Sequence, residues 1–551
     1  MMTGYATIAR EIIPRLCQKY EIAEFGCYGY ANDPRRIGPW KFYGNMPNDN
    51  DEEGRRVYQS DGRNAFGKWR FEEVLLDFRP DVVLGLTDVW MFDYALNSPL
   101  RHNYGVVYSP TVDSIPINPE WIAEYAKADV VLSYTKWGLD KLKEAGGDLL
   151  NLGGVVNTAV DTNSFFHISD RAAHKEKLGL PKDSIVIGMV ARNQKRKLFS
   201  RLFAAFRRLL DELEKRDKKE TADKCYLYLH TSYPDNGWWL PTLLKEYNLS
   251  SKVLFTYVCP NAPQNGLNGC GGFFPSFFTE AKQPCHCCFK SAAIFPNPTL
   301  GLSNGQLNAV YNLFDCYVQY SAAESPGMPT SESAFTGCAV YGTGYSGVGD
   351  VLEHIGGVQL RVGDVYRETE THRYFALPDN GHFVEEMIRF LSLPEVIRKG
   401  IGMKIMNKAR AYYSWDKSAE VWSAAIDSLP KANWDQPARL FNPSSQIPAQ
   451  CSNSEFIRYC CNNLLGIPER CDEYSCLKVL RDINNGSSVE FAGGPYISDQ
   501  SLQGLVGGGA KPFGRNEVIQ HMLKERELIN YWEGRRVGKV KANVPDFVRL
   551  A

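Results

Sequence analysis

The chain has no apolar run approaching the ~18 residues that a membrane helix needs, so no membrane span is expected. It lacks an excess of either charge: 62 Lys and Arg against 63 Asp and Glu leave a formal net charge of −1. That balance excludes a broadly basic nucleic-acid coat and an acidic disordered tail, while leaving room for a local basic patch. Met1 to Ile13 contain neither a long apolar core nor a small-residue cleavage site, so no secretory signal and a cytoplasmic location are expected. No internal repeat of fixed period stands out. Gly507-Gly508-Gly509 lacks the Lys-Ser/Thr of a phosphate loop and reads as a flexible turn.

What is present is an ordinary globular composition, 44% hydrophobic and 23% charged over 551 residues. Such a length holds roughly three or four domain-sized units and buries a large core without help from disulfides. The 15 cysteines are odd in number and unevenly placed. Without a secretory signal, thiols or metal ligands are expected rather than a disulfide framework.

Short β-branched runs recur along the chain: Asp81–Thr87, Tyr104–Tyr108, Asp129–Ser133, Ser184–Val190, Tyr226–Leu229, Val253–Thr256, Cys316–Tyr320 and Ala339–Tyr341. Helical patterns lie between several of them, as from Leu198 to Lys215. Buried strands alternating with helices predict α/β domains with parallel, doubly wound sheets. The expected boundaries are 1–170, 171–429 with a Cys-rich insertion at 258–304, and an extension at 430–551. Trp434 to Pro448 reads as a proline-bearing linker, and a late helix is predicted near Asn516 to Trp532. Thr3-Gly4-Tyr5 leads directly into an amphipathic helix. A glycine there usually follows a central strand, and its exposed amides face an anion. Here no strand precedes it; either the chain begins late or a neighbouring segment fills the gap.

The strongest chemical signal is Glu324-Ser-Pro-Gly-Met-Pro-Thr-Ser-Glu332, two carboxylates flanking a turn between a strand and a helix. Backbone amides at Gly327, Met328 and Thr330 would donate to sugar hydroxyls, and each carboxylate can grip vicinal hydroxyls. The plainer alternative is a strand end at Glu324 and a helix-favouring charge at Glu332. Arg192 and Lys197 follow the strand Ser184–Val190 and precede a helix, where cations beside free amides suit a diphosphate. Because Lys195 and Arg196 sit among them, a solvated basic loop is the alternative.

Together these residues resemble the retaining glycosyltransferases of the two-domain GT-B fold, a family that includes glycogen synthase and many bacterial mannosyl- and glucosyltransferases. The E-x7-E pattern falls on Glu324 and Glu332, and the Arg and Lys five apart on Arg192 and Lys197. Ala159-Val160-Asp161 to Phe165 matches an interdomain phrase, and Tyr413-Ser414-Trp415 a late helix that crosses back to the first domain. The resemblance implies two Rossmann-like domains facing a cleft, over roughly residues 1 to 428, and a nucleotide sugar as co-substrate. It implies that Glu324 contacts the transferred sugar and Glu332 the donor ribose. It also implies that Arg192 and Lys197 offset charge on the leaving diphosphate, with Gly4 on the donor side and no catalytic metal. The family's first-domain histidine has no obvious counterpart. Asp113 follows a strand where such a group would lie, with turn capping as the alternative.

Cys285 and Cys288 form a C-x2-C knuckle whose thiolates can reach one tetrahedral zinc, with Cys259 and Cys270 as the other pair and His286 and Cys287 as spares. Such a structural site would fold an insertion that has little core of its own. The tail holds Cys451, Cys460, Cys461, Cys471 and Cys476, of which Cys460 and Cys461 lie in an apolar helix-like stretch and read as small buried thiols. Arg535, Arg536, Lys539 and Lys541 form a modest basic cluster. The expected function is transfer of a sugar from a nucleoside-diphosphate sugar to a hydroxyl of a glycan or metabolite. The alternatives are transfer to a modified nucleic-acid base and a non-catalytic binding or structural protein.

Overall fold

A computed structural model describes residues 4–30, 38–261, 270–280, 283–290, 292–297, 299–437 and 515–539, the last stretch with side chains from 523. The tail cysteines, the Gly507–Gly509 turn and Lys541 lie outside the described residues.

The architecture is α/β with mainly parallel sheets, as the alternation predicts. In the first domain β1 (Ala23–Gly26) and β2 (Lys41–Gly44) form a parallel pair of their own. A second, all-parallel sheet runs β3 (Val82–Gly85), β4 (Gly105–Tyr108), β5 (Val130–Ser133), β6 (Leu152–Val155), in spatial order β3-β4-β5-β6. The second domain is built on a seven-stranded sheet in the order β10-β9-β8-β7-β13-β14-β15. They are β7 (Ile185–Val190), β8 (Cys225–His230), β9 (Val253–Val258), β10 (Phe273–Phe277), β13 (Cys316–Gln319), β14 (Ala339–Thr343) and β15 (Val358–Leu360). Of these only β10 runs antiparallel to its neighbour. Two small hairpins complete the set: β11 (Gln283–Pro284) with β12 (Ala292–Ala293), and β16 (Val362–Arg367) with β17 (Tyr374–Pro378).

All six residues of β7 are buried, as a central parallel strand covered on both faces requires. The helix Phe199–Lys215 covers one face with Leu202, Phe206, Leu209 and Leu213, each fully buried at helical spacing. On the other face the core runs continuously into the first domain, through Phe165, Trp415 and Trp422, to Ile8, Ile12 and Leu16 of the helix Gly4–Leu16. The helix Trp415–Asp427 packs against that first helix and β6, and Arg15 Nε donates to Asp416 at 2.7 Å. No helix among the described residues is long and apolar enough to cross a membrane.

The composition shift after Pro430 does not coincide with a break in packing. Trp434 is buried, its indole N–H donates to the Pro80 carbonyl at 3.0 Å, and it joins Tyr531 and Trp532 in the first domain's core. The late helix runs Arg515–Arg536. Within it Arg536 is not part of a solvated patch: its guanidinium is fully buried, 2.6 Å from a fully buried Glu533 carboxylate, and it also donates to the Trp434 carbonyl at 2.7 Å. His102 of the first domain lies 2.8 Å from the other Glu533 oxygen. Burial pushes the Glu533 pKa up, but the bonds from His102 and Arg536 outweigh it and hold the carboxyl below its ordinary value.

Replacing Glu533 with Gln leaves a buried cation without its counter-charge, a loss of about 3–5 kcal/mol. Because the folded pKa is depressed, the contribution is present above the unfolded carboxylate pKa and lost as pH falls through the folded value. Thermal melts should therefore show a lower Tm for E533Q at pH 7. The gap to wild type should narrow in acid; equal Tm values at pH 7 would show that the tail helix is not anchored by this pair.

Candidate active site

β7 and β13 are neighbours at the centre of the second sheet, with β8 on one side and β14 on the other. The chain leaves them in opposite directions, which opens a crevice beyond their C-terminal ends. The loop after β7 carries the cations, and the loop after β13 carries the carboxylates. The cation loop closes in a short turn, Lys195–Lys197, and enters its helix through Leu198 at φ +44°, a left-handed conformation that costs a non-glycine residue energy. The two loops are tied together, since the Ala322 amide donates to the Arg196 carbonyl at 2.8 Å and Arg196 Nη1 donates to the Ala323 carbonyl at 3.0 Å.

Glu324 is buried at the meeting point. One oxygen lies 2.7 Å from Arg196 Nη1, and the other contacts Lys197 Nζ and accepts from Gln319 Nε2 at 3.2 Å. Burial, and then the Arg196 charge, push the Lys197 ammonium well below its ordinary pKa, against a smaller opposing pull from the Asp113 charge. The Glu324 backbone is held as firmly, its carbonyl accepting from Ser346 Oγ at 2.9 Å and from the Gly347 amide at 3.0 Å. A Cβ on Gly347 would lie 1.7 Å from the Ser325 carbonyl oxygen, so only glycine allows that approach.

The partner of Glu324 is thus Arg196, which sequence reasoning set aside as part of a basic run. Arg192 is exposed and lines the same crevice, bonded through two nitrogens to Asp235 at 2.7 and 2.9 Å. Gly327 sits at φ +60° at the start of the helix Met328–Phe335, and the Thr330 amide is spent within this turn, donating to the Gly327 carbonyl at 2.8 Å. Glu332 is half-buried and accepts from Tyr311 Oη at 2.7 Å. Burial pushes its pKa up to about 6, against a smaller opposing effect of the Tyr311 hydrogen bond.

Across the crevice the helix Gly4–Leu16 presents its N-terminus to the same turn: a Cβ on Gly4 would lie 3.6 Å from Met328 Sδ. Tyr5 Oη donates to Asp88 at 2.8 Å and lies 2.8 Å from Thr111 Oγ1. Asp113 is bound by Arg373 at 2.7 Å and by Ser114 Oγ at 2.9 Å, so its carboxylate is engaged by a second-domain cation. Gly4, Asp88, Asp113, Arg196, Glu324 and Glu332 all line one cavity of about 1620 Å3.

The four cysteines of the insertion come together at the edge of the second sheet. Cys259 and Cys288 sulfurs are 3.7 Å apart, as are those of Cys270 and Cys285, and all four lie within 4.8 Å of one another. A disulfide needs ~2.05 Å. Four thiolates at ~2.3 Å from a zinc stand about 3.8 Å apart, so the spacing fits a tetrahedral metal site. Burial raises the Cys285 pKa, but the Cys288 and Cys287 amides and the neighbouring thiols outweigh it and bring it down to about 7. Cys287 is exposed and outside the set, and the His286 ring stacks on Phe274.

No family model and no curated protein matches the sequence. Solved structures do match the fold. Sucrose-phosphate synthase of Thermosynechococcus elongatus is 14% identical, with 77% of this chain and 93% of that one covered at a TM-score of 0.53. Anabaena HepE, solved in complex with UDP-glucose, is 12% identical, with 78% and 97% covered at 0.51. The UDP-forming α,α-trehalose-phosphate synthase of Burkholderia vietnamiensis is 12% identical, with 77% and 98% covered at 0.50. The chain therefore has the GT-B glycosyltransferase fold.

Glu332 should titrate near pH 6, above the ordinary glutamate range. Carboxyl carbon NMR over pH 4 to 8 checks this. Because the Tyr311 hydrogen bond lowers the pKa, Tyr311→Phe should move the midpoint upward; a downward move would show that the bond stabilises the protonated acid instead.

Proposed function

We propose that the protein is a retaining glycosyltransferase that moves a sugar from a nucleoside-diphosphate sugar to a hydroxyl of a glycan or metabolite. The observation that carries this reading is the Glu324–Arg196–Lys197 cluster, set opposite the N-terminus of the helix Gly4–Leu16. Arg196 and Lys197 stand beside Glu324 in a crevice with helix N-termini on both walls, an arrangement that suits a diphosphate. In the reaction the bond from the anomeric carbon to the diphosphate breaks and one to the acceptor oxygen forms. The acceptor's proton leaves with the diphosphate. Lys197 and Arg196 stabilise the charge that grows on that leaving group. Glu324 contacts the transferred sugar, and Glu332 accepts from the donor ribose. Arg192 reaches the diphosphate only by giving up Asp235. A nucleic-acid acceptor loses part of its support, because Arg536 of the basic cluster is buried on Glu533.

The structural role in the insertion falls to one zinc held by Cys259, Cys270, Cys285 and Cys288. With four protein ligands such a site is closed, so its contribution is to hold the loop between β9 and β10 and not to do chemistry.

The test is incubation with a panel of nucleotide sugars and acceptors, reading nucleoside-diphosphate release and the anomeric configuration of the product. Glu324→Gln and Lys197→Ala should each lower turnover by about 100-fold or more with the fold retained. A product of inverted configuration, or a variant with near-native turnover at saturating donor, overturns the corresponding part. Elemental analysis should find about one zinc per chain. Cys285→Ser should lose it and lower the Tm; metal-free protein prepared without chelator would remove the zinc assignment.

A further inference from the structure

His230 ends β8 in the wall of the crevice and takes no part in the cluster at Glu324. Its backbone is in register with Val190 of β7, and its ring is buried yet lines the cavity. Nδ1 lies 3.0 Å from Thr256 Oγ1 of β9, which lies 2.9 Å from Tyr228 Oη, two residues back along β8. Among the described residues nothing else hydrogen-bonds to these three side chains, so Nε2, on the far side of the ring, has no protein partner. Nor is Nε2 enclosed by the core, since the ring borders the cavity. The protons in this row follow from counting. A phenol and a threonine hydroxyl each donate one hydrogen bond, and a neutral imidazole donates one. A ring proton on Nδ1 would leave the Tyr228 or the Thr256 hydroxyl proton buried without an acceptor, which is costly. Only one order serves both hydroxyl protons: Tyr228 donates to Thr256, Thr256 donates to Nδ1, and the ring proton sits on Nε2. Burial lowers the His230 pKa to about 4, so the ring is neutral near pH 7.

Strand alternation points His230 to the same side of the sheet as Tyr228. The helix Asn304–Tyr311 packs on that side, and its Leu307, with Leu302 just ahead of it, lines the same cavity. Glu324 follows β13, which lies across β7 from β8, so two strand spacings, about 10 Å, separate the two strands. We propose that His230 donates its Nε2–H to a ring carbonyl of the donor's nucleobase, lying over Leu302 and Leu307, and so selects the nucleotide. A neutral N–H beside apolar side chains suits an uncharged carbonyl, whereas a diphosphate is served by Arg196 and Lys197. Thr256 and Tyr228 are positioning residues that hold the tautomer. The inference rests on the proposed use of a nucleoside-diphosphate donor.

The test is titration calorimetry with UDP, CDP, GDP, ADP and inorganic pyrophosphate on the full chain and on His230→Ala and His230→Gln. The tightest nucleotide should be UDP, CDP or GDP, whose bases carry a ring carbonyl. His230→Ala should weaken that nucleotide about 10-fold or more and leave pyrophosphate within about 2-fold. His230→Gln, whose amide restores an N–H, should recover most of the loss. Histidine nitrogen NMR at pH 7, with His230 assigned by its loss in the Gln variant, should show the proton on Nε2. Thr256→Val should turn that signal into a mixture of tautomers. Equal weakening of nucleotide and pyrophosphate, or no weakening, overturns the proposal and leaves the transferase reading in place. So does ADP as the tightest ligand, or a wild-type proton on Nδ1. Binding of none of the four nucleotides overturns both.

Discussion

The contact on which the crevice depends is the buried ion cluster at Glu324. A carboxylate taken out of water is tolerated only with its charge met and its lone pairs occupied. Arg196, Lys197 and Gln319 do both. Because the cations come from the loop after β7 and the carboxylate from the loop after β13, the cluster welds the two central loops of the second domain together. Bonds onto backbone carbonyls make that weld rigid: the Ala322 amide donates to Arg196, the Arg196 guanidinium to Ala323, and Ser346 Oγ and the Gly347 amide to Glu324. A ligand entering here meets charges already aimed, with little reorganisation left to do.

The first domain is held over this rigid wall from two sides. On one, the helix Trp415–Asp427 crosses back, with Trp415 and Trp422 buried in the shared core and Tyr20 Oη donating to Asp427 at 2.8 Å. On the other, the β16–β17 hairpin reaches the loop after β4: Arg373 binds Asp113, the Tyr374 amide donates to the Ile115 carbonyl at 2.6 Å, and the Arg373 guanidinium lies over Trp121. Asp113 is therefore part of a clasp between the domains.

Strands such as Ile185–Val190 were legible because a fully buried parallel strand is an unbroken apolar run, and the helix after it because its buried residues keep a helical period. The turn between Glu324 and Glu332 was legible from Pro, Gly and flanking charge. That Arg196 joins Lys197 on Glu324 was not, since only the crossing of two loops, 128 residues apart in sequence, decides which cation of the basic run reaches the carboxylate. The Asp113–Arg373 pair, separated by 260 residues, was hidden for the same reason. In the tail, Trp434, Tyr531 and Trp532 carried a signal that composition masked: bulky aromatics beside prolines and arginines belong to a core even where the surrounding residues are polar. The cysteine cluster was readable in its C-x2-C half, and the long spacer between Cys259 and Cys270 closed because β9 and β10 are antiparallel neighbours.

The two carboxylates of the turn end in opposite electrostatic settings. Glu324 faces the side chains of Arg196 and Lys197. Glu332, one turn into the helix, has only a neutral phenol beside it, and burial moves its pKa up to about 6. Groups whose environments separate their ionisation can take different tasks in one site. Glu324 organises the cations, while near neutral pH Glu332 is poised to exchange a proton or a hydrogen bond with what lies against it. That division follows from position: Glu324 lies where the loop after β7 brings Arg196 and Lys197, and Glu332 lies one turn further on, beside Tyr311.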